Sequence, residues 1–171
     1  MSYVAVYSQV VIAIVFTAAA ISKLSAREDF REFVRSLRRL RSVPRRAAAP
    51  AGWALLIGEA ITAPLMALSP SAGRALAVFL LAALTVGATL IVRSNAVVAC
   101  RCFGAATEPL SRRHVARNVF LLTIATSGIM SDGISPTASP AATAAAVASG
   151  LLTALVVIRL DDIVYLFRSS P

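Results

Sequence analysis

Long apolar runs separated by short polar stretches are the main pattern along this chain. Each run is close to the 17–25 residues that a helix needs to cross a bilayer, and none alternates as a strand does. Helices also satisfy their own backbone hydrogen bonds in lipid. The pattern predicts an all-α integral membrane helical bundle, with one domain over residues 1–171 and four to five transmembrane helices. The predicted spans are about 4–24, 50–68, 75–92, 115–130 and 141–160.

The fourth run is the least apolar of the five. It carries Arg117 and Asn118 near its start and Gly128 near its end. A re-entrant segment here would invert the fifth helix. Residues 131–140 contain no Lys or Arg, which favours a run that crosses the membrane.

Basic residues are concentrated in alternate gaps between the runs. Residues 25–49 hold eight arginines, 69–74 hold only Arg74, 93–117 hold five, and the tail after residue 158 holds two. The positive-inside rule then predicts five spans with an outside N-terminus and a cytoplasmic C-terminus. The net charge of +9 is explained by this bias, so we expect a lipid bilayer as partner and no nucleic acid.

The first basic gap has helical periodicity of its own. The pattern predicts a short amphipathic helix lying on anionic headgroups, and a solvated charge run that fixes topology is the alternative. The apolar positions of this pattern are Phe30, Phe33, Val34, Leu37 and Leu40.

Cys100 and Cys102 are the only two cysteines, and they stand one residue apart. They could be inert apolar residues, two ligands of a metal site completed by His114 and Glu108, or a redox pair. The metal interpretation is weakened because one intervening residue is tight for zinc. Neighbouring arginines favour the reactive thiolate, and Gly104 allows a turn beside the thiols. The residues favour a redox pair, while the other two interpretations remain open.

Glu59 is the only acidic residue inside a predicted span. A charge at that depth costs at least about 2.5–3.5 kcal/mol, so it is functional or forms an internal hydrogen bond between helices. Its candidate cationic partners are Lys23, Arg93 and Arg117. Lys23 also has a simpler interpretation as an interface anchor at the end of the first run.

Four sequence elements together resemble one family. They are Ser22-Lys23-Leu24, Glu59, the Cys100-Arg101-Cys102-Phe103-Gly104 motif, and Arg117-Asn118. Over about residues 4–160 the chain resembles the MauE family of methylamine utilisation membrane proteins, within the wider DoxX-like redox-associated membrane proteins. The resemblance implies a multi-pass protein of the cell inner membrane.

The resemblance also implies a role in maturing an exported redox enzyme, as for the disulfide-rich small subunit of methylamine dehydrogenase. Cys100 and Cys102 would be the catalytic redox pair, working with a thioredoxin-like protein and an exported enzyme subunit. Lys23, Glu59, Gly104, Arg117 and Asn118 would support that site. No cofactor or metal is implied. An exported substrate and cytoplasmic cysteines together favour a relay or a membrane-embedded site.

Two other functions fit the residues. A small transporter would use Glu59 as its coupling carboxylate. A non-catalytic scaffold would bind partner helices through a face of small residues spaced four apart, namely Ala142, Ala146 and Gly150. The same face could instead pack against another helix of this chain or form a homodimer contact. No hydrolase or kinase motif occurs in the sequence, so any enzyme activity is at most a thiol–disulfide relay.

Overall fold

The computed structural model describes residues 2–25, 27–38, 44–93, 112–131 and 139–160. Within these ranges the chain forms helices and no strand, which confirms the predicted all-α bundle. The helices are α1 (Tyr3–Leu24), α2 (Arg27–Arg38), α3 (Ala48–Leu68), α4 (Pro70–Arg93), α5 (Arg112–Met130) and α6 (Pro140–Ile158).

Helix α1 lies at the centre of the bundle. It contacts α3, α5 and α6, while α4 packs against both α3 and α5. A run of α1 side chains at helical spacing is almost fully buried and forms the middle of the core, because residues three and four apart share one face. These side chains are Val11, Ile12, Val15 and Phe16.

Four of the helices, α1, α3, α4 and α6, are long and apolar enough to cross a membrane. Helix α5 is less apolar because its first turns carry Arg112, Arg113 and Arg117. It is nevertheless one continuous helix of 19 residues, or about 28 Å, and its inner side is buried from His114 to Gly128. Large apolar side chains are exposed on the outside of the bundle, as expected where lipid is the solvent. The chain is therefore a multi-pass membrane protein.

The turn between α3 and α4 is only one residue long. Ser69 separates the two helices, and Pro70 begins α4 at a position where its missing N–H costs nothing. A Cβ atom on Gly73 would lie 2.6 Å from the Met66 Cα, so only glycine allows this close approach. Arg74, which the sequence placed in the gap before the third span, lies inside α4 and is 3% exposed.

Helix α2 is amphipathic, and its apolar side packs against the protein. Phe33 and Val34 are buried, and the helix packs against α1 and α3. Its exposed residues include Arg31, Arg35 and Arg38. Leu40 of the predicted pattern lies outside the described residues.

The small residues of α6 serve contact within the chain. Ala146 and Gly150 are buried, and a Cβ atom on Gly150 would lie 3.0 Å from the Val10 Cγ1 of α1. The Tyr7 hydroxyl donates a hydrogen bond to Thr153 Oγ1 at 3.0 Å across the same pair of helices. The homodimer face suggested for these residues is not tested by a single chain and stays a prediction.

One end of the bundle carries most of the charge. Helix α2, the last residue of α4 (Arg93) and the first two residues of α5 (Arg112 and Arg113) all lie there, and we call it the basic end. Arg93 and Arg112, the described residues on either side of residues 94–111, therefore both lie at the basic end.

Candidate functional site

A buried ion pair joins α1 to α3 near the basic end. The Lys23 Nζ donates a hydrogen bond of 2.5 Å to the Glu59 Oε2, and the two side chains are only 1% and 2% exposed. A lone charge at this depth is costly in protein or lipid, but a hydrogen-bonded partner offsets much of that cost. Of the three candidate cationic partners of Glu59, Lys23 is the one that forms the ion pair.

Helical spacing explains why Glu59 points inward. It shares the buried side of α3 with Leu56, Thr62 and Met66, which lie three or seven residues away. Lys23 likewise shares the buried side of α1 with Ala19 and Ala20, whose small side chains leave room for the long lysine stem. Glu59 and Lys23 therefore lie at positions of their helices where apolar core residues would be expected.

Phe33 of α2 covers the pair. Its ring centroid lies 5.2 Å from the Lys23 Nζ, a distance suited to a cation–π contact, and the residue is 3% exposed. Phe30 of the same helix lies 6.4 Å from Phe33 and 4.6 Å from Trp53 between ring centroids. Helix α2 therefore shields the ion pair from the aqueous surface with a small aromatic cluster.

A cavity of about 140 Å³ lies beside the ion pair. Its walls come from α1 to α5 and are mostly apolar, with Phe16, Phe33 and Leu81 among them. The polar side chains that line it are Glu59, His114, Arg117 and Asn118.

The three α5 residues of this lining share one side of their helix. His114, Arg117 and Asn118 are three and four residues apart, and His114 and Arg117 are only 8% and 5% exposed. The structure thus brings predicted site residues from three distant sequence positions to one place. Glu59 and Arg117-Asn118 line the cavity, and Lys23 is bound to Glu59.

Cys100, Cys102 and Gly104 lie outside the described residues. Their segment is attached to the bundle at Arg93 and Arg112. Ile91, close to the first of these attachment points, lines the cavity, as does His114, close to the second. Among the described residues, no three His, Cys, Asp or Glu side chains form a group that could hold a metal.

Two further features of the sequence point to this site. Lys23 is the only lysine among 17 basic residues, and a lone lysine in an arginine-rich chain suggests a position that needs a compact ammonium. His114, considered above as a possible metal ligand, falls three residues before Arg117 and so shares its side of the helix. The covering role of Phe33 had no signal beyond its apolar position.

Comparison with known proteins supplies one match. A family profile described as methylamine utilisation protein MauE matches residues 1–131, a range that includes Lys23, Glu59, both cysteines and Arg117-Asn118. A search of curated proteins found no match. A search of solved structures found none either.

Proposed function

This chain belongs to the MauE family of methylamine utilisation proteins, and from that premise we propose that it supports thiol–disulfide chemistry in the maturation of an exported redox enzyme. Cys100 and Cys102 exchange between dithiol and disulfide, and at most the protein acts as a relay. Its partners are a thioredoxin-like protein and a subunit of the exported enzyme. The wider grouping with DoxX-like proteins and the location in the cell inner membrane are parts of the same proposal.

The observation that supports this proposal most is the convergence at the basic end. The buried Lys23–Glu59 pair and the Arg117-Asn118 element lie beside one cavity. The segment that contains Cys100 and Cys102 joins the bundle at that same end. Charged groups buried in lipid are expensive and mark functional sites by default. In this proposal they hold the basic end rigid and set the electrostatic environment of the thiols.

Substitution of one cysteine tests the proposal. Cys100→Ser should abolish maturation of the exported enzyme, because a single thiol cannot form the internal disulfide that is exchanged. Expression and membrane insertion should stay normal, as judged by the amount of protein in the membrane fraction. The remaining thiol of Cys102 should accumulate in a mixed disulfide with the thioredoxin-like partner, which is visible on a non-reducing gel.

Ala105→Ser is the matched control, because it adds a hydroxyl to the same segment and keeps both thiols. It should mature the enzyme as the parent chain does. Full maturation with Cys100→Ser in the membrane would contradict the proposal.

A small transporter is the second candidate, and the Glu59 carboxylate beside a cavity is the observation that favours it. Under this alternative Glu59→Gln stops uptake into vesicles, while Cys100→Ser leaves it unchanged. Under the thiol proposal the measured property is maturation of the exported enzyme. Cys100→Ser should then have a larger effect on maturation than Glu59→Gln.

A further inference from the structure

We propose that the cavity beside the Lys23–Glu59 pair binds the ring of a membrane-soluble quinone, whose tail stays in the surrounding lipid. This binding does not depend on the thiol chemistry proposed above. A quinone nevertheless belongs to the class of acceptor that such chemistry requires, since it takes the two electrons and two protons released when a dithiol becomes a disulfide.

The size of the cavity limits what fits. An apolar cavity of about 150 Å³ is large enough for one benzene ring, and this one is about 140 Å³. A single six-membered ring therefore fits, whereas a folded peptide segment does not.

The cavity reaches the lipid-facing surface at α4. Ala83 lines it and is exposed, and Leu84, one position further, is half-buried. Gly87 also lines it, and a Cβ atom built on Gly87 meets no other atom within 4 Å. The small residues at 83 and 87, one helical turn apart, leave an opening through which a ring can enter from the bilayer.

The polar lining matches the oxygens of such a ring. The side chains of His114, Arg117 and Asn118 carry N–H groups that can donate to quinone carbonyl oxygens. The Glu59 carboxylate can accept a hydrogen bond from the hydroxyl of the reduced form. A plain acyl chain cannot accept a hydrogen bond from the Asn118 amide, so this residue favours a ring with oxygen substituents.

Filling the cavity from Gly87 tests the proposal. A short-chain benzoquinone is titrated into the full-length protein in lipid nanodiscs, and binding is followed by quenching of Trp53, the only tryptophan. The parent chain should show saturable quenching. Gly87→Leu should weaken binding by about tenfold or more, equivalent to at least about 1.4 kcal/mol, and Gly87→Ala should have a smaller effect in the same direction.

Val86→Leu is the matched control, because Val86 neighbours Gly87 but is 59% exposed and does not line the cavity. It should bind as the parent chain does, and it corrects for quinone that simply partitions into the lipid. Asn118→Leu, which keeps the size of the side chain but removes its N–H, should weaken binding about 2- to 12-fold, the range expected for one lost hydrogen bond.

Two outcomes would overturn the proposal. One is quenching that does not saturate or that is equal in the parent chain and Gly87→Leu. The other is equal competition by a saturated alcohol of matched tail length, which would mean that an acyl chain occupies the cavity. A Cys100→Ser/Cys102→Ser double variant should still bind the quinone, so loss of the thiol proposal would leave this result unchanged.

Discussion

Removing one partner of the Lys23–Glu59 pair should destabilise the protein far more than removing both. The two side chains are 1% and 2% exposed, so either one left alone is a buried charge without its 2.5 Å hydrogen bond. Breaking such a pair costs about 3–5 kcal/mol, whereas replacing both members by apolar side chains is often close to neutral. The single and double variants therefore separate the ion pair from the general effect of substitution.

Four proteins complete the measurement: the parent chain, Lys23→Met, Glu59→Leu and the double variant. At about 2–4 °C per kcal/mol for a chain of this length, each single variant should lower the thermal midpoint by about 6–20 °C. The double variant should recover at least half of the larger loss. Unfolding is followed by the fluorescence of Trp53 in a fixed detergent or nanodisc.

Ala60→Leu is the control for the cycle, because Ala60 neighbours Glu59 but is exposed on the lipid side of α3. Its midpoint should stay within about 2 °C of the parent value, in line with the small effects of surface substitutions. Losses that simply add in the double variant would refute the reasoning, since uncoupled effects mean that the two charges do not stabilise each other.

Two further predictions concern the surroundings of the pair and the α3–α4 turn. Phe33→Ala should expose the amine of Lys23, the only lysine of the chain, so an amine-reactive reagent should modify it faster. Phe33→Leu should keep the cover but lose the cation–π contact. Equal labelling of both variants and the parent would contradict the covering role. Gly73→Ala should lower the thermal midpoint, because its new Cβ atom collides with the Met66 backbone at a cost of about 1–3 kcal/mol. Ala72→Val, on the exposed side of the helix, should leave the midpoint unchanged. A Gly73→Ala protein as stable as the parent would show that the turn relaxes.

The spans could be predicted because apolarity is a local property of the chain. Each long helix coincides closely with an apolar run, and Pro70 extends α4 further toward its start than the run suggested. Polar and small residues at the start of α4 diluted the apolar signal there. Arg74 was assigned to a gap for that reason, although the fold buries it inside α4.

The ion pair could be predicted only in part. Glu59 stood out because an acidic residue in a span is expensive, and this cost is visible in the sequence. Its partner was not visible, since Lys23 lies 36 positions away and the choice depends on how α1 packs against α3. Sequence spacing alone left Arg93 and Arg117 as equal candidates.

Helix α2 and the cavity show the limits of pattern reasoning. An amphipathic period has the same form whether its apolar side meets lipid or protein, so the docking of Phe33 and Val34 on the bundle required the fold. A cavity arises where side chains of several helices fail to fill a common space. Gly87 borders that space but looked like an ordinary glycine of an apolar run.

A redox titration of Cys100 and Cys102 tests the central proposal most directly. The purified protein in nanodiscs is equilibrated with buffers of graded thiol–disulfide potential, and free thiols are then counted after alkylation. The proposal predicts that both thiols disappear together as one two-electron couple and that the disulfide forms within one chain. For such a couple, a tenfold change in the equilibrium constant corresponds to about 30 mV. Thiols that stay reduced throughout, or that oxidise independently of each other, would contradict it.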